Sequence, residues 1–182
     1  MREAEAKIRV DCSRFDELRG VLRGKGYRLE GRVREDDVYY QHPCRDLMRS
    51  DEALRLRYSG GRMVLSYKGP RSGGRLKVRE ELEARVEGPL GLILERLGFR
   101  ESVRVGKSRE VYRGDRVKVF LDTVDGVGCF IEVESLTGDP MHVSEALKEL
   151  GLDKEEVVYD SYAEIVARSL SLSDSDRSHT GD

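Results

Sequence analysis

The sequence predicts an α+β protein dominated by an antiparallel sheet of eight or nine strands, with helices at a few of the joins. Three observations lead there. Apolar and polar residues alternate with period two through most of residues 27–83 and again from Arg104 to Glu134. Short turn signals, Gly60-Gly61, Gly114-Asp115 and Asp125-Gly126, separate alternating segments at hairpin spacing. Helical periodicity is confined to a few short stretches. At 182 residues the chain suits one core, and the reading is a single domain over 1–170 followed by a disordered tail, 171–182, which has no apolar period.

In chain order, "EAEAKIRV" reads as a strand with Glu3, Glu5 and Lys7 on one face and Ala4, Ala6 and Ile8 on the other. "DCSRFDELRGVLRGKG" reads as a helix, with Ser13 as N-cap, Asp16 at the capping-box position and Gly24 and Gly26 as the stop. Gly60-Gly61 joins "EALRLRYS" to "RMVLSYK" as a hairpin. "PLGLILERLG" is a short helix with Pro89 near its first turn and Gly98 at its end. Strands resume in "RVGKSREVYR", "RVKVFLD" and "GCFIEVE". The helices "PMHVSEALKELG" and "DSYAEIVARSL" close the fold.

Composition narrows the function classes. Charged residues are 37% of the chain, well above the usual level of about a quarter, yet 33 basic against 35 acidic residues leave a net charge of only −2. No global field favours nucleic acid, and no basic-aromatic strip is visible. The three cysteines, Cys12, Cys44 and Cys129, form no CxxC and no evident disulfide framework, which points to a reducing compartment. His42, His142 and His179 lack zinc-site spacing. No apolar run approaches the roughly 18 residues of a membrane span, and "MREAEAK" is not a signal peptide. The expectation is a cytoplasmic protein with no nucleic-acid or membrane partner. Sheet edges leave room for a homodimer.

Strand parity carries the functional signal. Arg55 and Arg57 share a face against Leu54 and Leu56. Lys68 falls with Ser66 and Val64, and Lys107 aligns with Arg109. Lys77, Arg79, Glu81 and Glu83 oppose Leu76, Val78 and Leu82. Lys118, Phe120 and Asp122 oppose Val117, Val119 and Leu121, while Glu132 and Glu134 oppose Ile131 and Val133. A solvated face explains any one such strand. Taken together, long cations and carboxylates nearly exclude neutral polar residues, and acids and bases segregate by strand. A barrel accounts for this if the charged faces turn inward and the apolar faces outward beneath helices. Burying that charge requires pairing, hydration or a ligand bearing both signs. Lys7, Arg55, Arg57, Lys68, Lys107 and Arg109 suit a polyphosphate. The carboxylates suit Mg²⁺ or Mn²⁺ bridging to phosphate.

The segments "EAEAK", "DVYYQHP", "ALRLR", "SYKGP", "VREELE", "GKSREVY" and "FLDTVDGVGCFIEVE", in this order, resemble the CYTH superfamily of CyaB adenylyl cyclases and thiamine triphosphatases, the triphosphate tunnel metalloenzymes. The resemblance spans roughly residues 1–170. It implies an antiparallel eight-stranded β-barrel forming a triphosphate tunnel. It further implies Glu3, Glu5, Glu81, Asp122, Glu132 and Glu134 as metal positions, with Glu83 as a partner beside them. Lys7, Arg55, Arg57, Lys68, Lys107 and Arg109 become the phosphate cradle and Tyr39 a supporting residue. "QHPCRDL", "DEALRLR" and "SYKGP" look most like the CyaB branch, which implies conversion of ATP to cyclic AMP and pyrophosphate. Hydrolysis of tripolyphosphate, thiamine triphosphate or a nucleoside triphosphate is the alternative, and binding without turnover a further one. Glu81 and Glu83 could instead be ion-pair partners of Arg79 and Lys77. Lys118 reads as a rim charge and His42 as a turn residue. "GPRSGGR" lacks the Walker pattern and reads as a flexible loop over the tunnel mouth.

Overall fold

The computed structural model describes residues 2–72, 74 and 76–177. Among them eight strands close into one antiparallel barrel: β1 (Arg2–Val10), β2 (Arg28–Gln41), β3 (Ala53–Ser59), β4 (Arg62–Lys68), β5 (Lys77–Val86), β6 (Arg100–Arg113), β7 (Val117–Val124) and β8 (Gly128–Ser135). The order around the barrel is β1-β5-β4-β3-β2-β6-β7-β8, and β1 pairs with both β5 and β8. Closure pairs the first and last strands of the sheet with each other through β1 and β8.

Alternation in sequence becomes the two faces of the barrel wall. On β1, Ala4, Ala6 and Ile8 point outward into the largest apolar cluster, with Val119, Leu121, Ile131 and Val133 of β7 and β8. Helices α1 (Phe15–Gly24) and α3 (Pro140–Glu149) cover that layer through Leu18, Leu22, Val143 and Leu147. A second outer cluster joins α2 (Leu90–Arg96), through Leu94, to Val38, Tyr40 and Leu56. The hairpin glycines have φ of 56° at Gly60 and 74° at Gly61, the left-handed pair that a two-residue turn needs and that residues with a Cβ resist.

The first helix begins differently from the sequence reading. Asp11, not Ser13, is the cap: its carboxylate accepts from the Ser13 N–H, and a 3₁₀ turn, Cys12–Arg14, precedes α1. Asp16 pairs with Arg19 instead of closing a capping box. α3 follows the rule, with Asp139 accepting from the Met141 N–H and Pro140 at the first position. α4 (Tyr162–Arg177) continues past the expected limit at Leu170; residues 178–182 of the expected tail lie outside the described residues.

Cys12 and Cys129 form a disulfide across a sequence separation of 117, which overturns the expectation of unpaired thiols. Barrel closure is the reason. Val10 and Cys129 are register partners on β1 and β8, so the residue just beyond β1 reaches the start of β8. Cys44 is free and exposed. The cysteine pattern therefore no longer favours a reducing compartment. Among the described residues no helix is long and apolar enough to cross a membrane.

Candidate active site

The charged strand faces turn inward and enclose a cavity of about 370 Å³. Its wall carries the six expected cations, Lys7, Arg55, Arg57, Lys68, Lys107 and Arg109, and the acids Glu3, Glu5, Glu81, Glu132 and Glu134. Asp122 is the exception. It is 0% exposed and lies behind Arg109, whose Nε and Nη2 both bond its carboxylate, while the Tyr162 hydroxyl donates to it at 2.8 Å.

Register creates the pairs. On β1 and β5, Glu3 faces Arg79 and Glu5 faces Lys77, giving contacts of 2.9 Å and 3.5 Å. Lys68 bonds Glu3 at 2.6 Å and Glu81 at 2.9 Å. Glu83 accepts from Ser66 and Arg55. The sequence alternative that paired Glu81 and Glu83 with Arg79 and Lys77 fails, because those two cations reach across to β1. On β1 and β8, Lys7 stands opposite Glu132, but Glu5 stands opposite Glu134. Like charges directly opposed are destabilising.

The electrostatics record both situations. Burial pushes the Glu5 carboxyl up, yet Lys77, Lys7 and Lys68 together pull it well below the usual carboxylate range. Burial raises Glu134 with nothing comparable to offset it, and Glu132, Glu3 and Glu5 add repulsion, so its value rises to about 8. Burial and then Lys77 lower the Lys7 ammonium to about 7, against Glu132 and Glu5. Among the described residues no three carboxylate, histidine or cysteine side chains form a ready-made metal site; Glu3, Glu5 and Glu132 are drawn to neighbouring cations instead. The donor set nevertheless fits a hard cation, since the excess of negative charge around Glu134 is what such an ion would neutralise.

Several tunnel residues escaped the sequence reading. Glu35 and Asp37 hold the cations of β3 and β6: Asp37 takes a two-pronged bond from Arg57 at 2.7 and 2.8 Å, and Lys107 contacts Glu35 at 2.9 Å and Asp37 at 3.3 Å. Both lie on the face of Tyr39, so parity could have found them. Lys77 is 1% exposed and shares the Asp160 carbonyl with Lys7. Arg55 Nε is buried and donates to nothing. Lys118 is half-exposed beside Glu30, as a rim charge should be. His42 accepts from the Cys44 N–H in a turn.

The C-terminal segment closes one end. Tyr162 enters the barrel, its ring 3.8 Å from Lys7 Nζ and edge-on to Phe130. Arg71, in the "GPRSGGR" loop, binds Asp51 of the β2–β3 loop, Glu164 of α4 and the Tyr159 carbonyl. That loop is therefore anchored over the mouth at Arg71; Gly73 and Arg75 lie outside the described residues.

A closed barrel with an ionic lumen defines a tunnel built for a multiply charged small molecule. The chain belongs to the CYTH domain family, whose sequence profile it matches over residues 1–162. It is 30% identical over 174 residues to a Methanocaldococcus jannaschii protein named "Putative adenylate cyclase MJ0240", covering 91% of this chain and 98% of the relative. Two solved Pyrococcus horikoshii structures share the fold. PH1819 has a TM-score of 0.77 at 34% identity, covering 92% of this chain and 99% of that one. PH1012 has 0.76 at 30%, covering 90% and 98%.

Proposed function

We propose that the protein is a divalent-metal-dependent enzyme acting on triphosphates, and specifically an adenylyl cyclase that converts ATP to cyclic AMP and pyrophosphate. The observation that carries the reading is the direct opposition of Glu5 and Glu134 inside a tunnel otherwise rich in cations. Two inward-facing carboxylates set against each other call for a positive ion on that wall, beside cations that can turn from their carboxylate partners to phosphate.

Lys7, Arg55, Arg57, Lys68, Lys107 and Arg109 bind phosphate oxygens, and Arg55 Nε gains the partner it lacks. Glu35 and Asp37 keep Arg57 and Lys107 aimed before substrate arrives, and Asp122 with Tyr162 does so for Arg109. Such preorganised charge is the main catalytic requirement of phosphorus chemistry. Glu3, Glu5, Glu81, Glu132 and Glu134 are the residues that would hold Mg²⁺ or Mn²⁺, which would supply charge neutralisation to the phosphates when bound. The 3′-hydroxyl oxygen of ATP bonds to the α-phosphorus, its proton passes to solvent and pyrophosphate leaves. The cyclase assignment follows the name of the M. jannaschii relative.

Incubating the purified protein with ATP, tripolyphosphate and thiamine triphosphate, with Mg²⁺ or Mn²⁺, tests this. Cyclic AMP from ATP is the expected product. Orthophosphate without cyclic AMP would replace the cyclase with a triphosphatase, and tight binding without turnover would leave a binding protein.

A further inference from the structure

Barrel closure rests on the seam of β1 with β8, and β1 is held unequally along its length. On the β5 side its pairing covers residues 2–5; on the β8 side it covers residues 5–10. Residues 6–10, which include Lys7, therefore depend on β8 and on a short segment ahead of α4, where Ile8 bridges Val157 and the Val158 N–H donates to the Lys7 carbonyl at 2.7 Å. Within the seam Glu5 opposes Glu134; at its far end, just beyond Val10, Cys12 is bonded to Cys129. A covalent tie and a like-charge pair thus act on the same seam in opposite senses.

The tie is placed where it can be opened. Cys12 stands exposed in the 3₁₀ turn ahead of α1, while Cys129 is 2% exposed, in the apolar layer beneath α1 and α3. A thiolate from solvent reaches the Cys12 sulfur without entering the barrel, and accessible disulfides are the ones that exchange and regulate. The released Cys129 thiol has a neighbour ready, since its sulfur lies 3.6 Å from the Thr123 hydroxyl. The next residue carries the effect inward. Phe130 shares the strand face of Glu132 and stands edge-on to Tyr162 at 5.2 Å; Tyr162 in turn meets Lys7 and the Asp122 carboxylate that holds Arg109. Arg9 spans the same seam, bonding the Val127 carbonyl and lying over the Phe130 ring.

Resting on the triphosphate reading above only for the choice of ligand, we infer that the Cys12–Cys129 pair is a redox switch on the tunnel. Intact, it holds residues 6–10 against β8 and keeps Lys7 and Glu132 placed for a ligand; reduced, it lets that seam loosen, and the tunnel loses affinity. A dithiol reductant supplies the two electrons. Its thiolate bonds to the Cys12 sulfur, the Cys12–Cys129 bond breaks, and Cys129 leaves as a thiolate that takes up a proton. The second thiol of the reductant then displaces Cys12, so that the dithiol becomes a disulfide and its two protons end on the two cysteines. A seam closed for about a tenth of the time costs about tenfold in apparent affinity.

Calorimetric binding of tripolyphosphate with Mg²⁺, before reduction by dithiothreitol, after it and after reoxidation, tests the switch, with free thiols counted at each stage. The wild type should lose about tenfold or more in affinity on reduction and regain it on reoxidation. Cys12→Ser should bind at the reduced level throughout. Unchanged affinity in protein that has gained its two thiols would overturn the switch, as would a wild type whose Cys12 and Cys129 stay free under oxidant. Hydrogen exchange of the wild type needs neither ligand nor variant: residues 6–10 and 128–132 should exchange faster on reduction and recover on reoxidation. No change there, or a rise spread evenly over the barrel, would make the bond a plain stabilising link and overturn the switch. A wild type that binds no tripolyphosphate in either state would overturn the triphosphate reading, and the exchange pattern would then decide the switch by itself.

Discussion

Glu5 on β1 and Glu134 on β8 are direct register partners inside the barrel, where burial first, and then repulsion from Glu132, Glu3 and Glu5, raises Glu134 to about 8. The ordinary value is 4.5. Between these two values the folded state binds a proton that the unfolded state has released, so stability falls as pH rises through that window. In metal-free protein, Glu134→Gln removes this dependence. Its melting temperature should gain on the wild type as pH rises from 4.5 to 8, and added Mg²⁺ should stabilise the wild type more than the variant at the alkaline end. Parallel melting curves across the window would show that the repulsion is not felt.

Glu5 differs because Lys77, Lys7 and Lys68 keep it ionised. Glu5→Gln keeps the shape and removes the charge. Metal-dependent turnover should fall by about a hundredfold or more, with the far-ultraviolet dichroism unchanged. Full activity in this variant would remove Glu5 from the metal site.

How much of this was legible in sequence depends on whether a feature is local. Alternation is local, so the inward face of β1, β3 and β8 and the cations on it could be read directly from parity. The hairpin at Gly60-Gly61 was equally local. Pairing partners are not local: Arg79 could reach Glu3 rather than Glu81 only because β5 lies beside β1, 70 and more residues away in sequence. The same non-locality hid the Cys12–Cys129 disulfide, whose residues meet only when β8 returns to β1. Tyr162 was invisible for a third reason, since a helical tyrosine carries no sign that it will enter a barrel.

The disulfide closes a loop of 117 residues, and on a chain-entropy account it contributes at most about 5 kcal/mol. Denaturant midpoints measured with and without reductant should differ for the wild type and coincide for Cys12→Ser. Equal wild-type midpoints would mean that the link does not form in solution.

Arg71 joins the β2–β3 loop to α4, and Glu164 receives it together with the Ser161 N–H. Burial pushes Glu164 up, but the Ser161 N–H and Arg71 bring it to about 2 from 4.5. Its contribution is therefore complete above pH 4.5 and is lost as pH falls towards 2. Arg71→Ala should be less stable than the wild type above pH 4.5, with the gap narrowing in acid. Hydrogen exchange should rise in residues 160–166 and 46–52 together; a rise in only one segment would show that Arg71 does not couple them.

Tyr162 combines two contacts that substitution can separate. Its hydroxyl serves Asp122, and its ring lies under Lys7 and against Phe130. Tyr162→Phe keeps the ring and removes one buried hydrogen bond, an expected loss of about 1 kcal/mol in stability. Since Asp122 aims Arg109, the Michaelis constant for the triphosphate should rise with little change in the pH profile. Tyr162→Leu also removes the ring, adding a loss of roughly 1–2 kcal/mol from packing and the cation–π contact. Denaturant titration of both variants resolves the two contributions. If Phe and Leu were equally destabilising, the hydroxyl alone would hold α4 in the barrel mouth and the ring would contribute only shape.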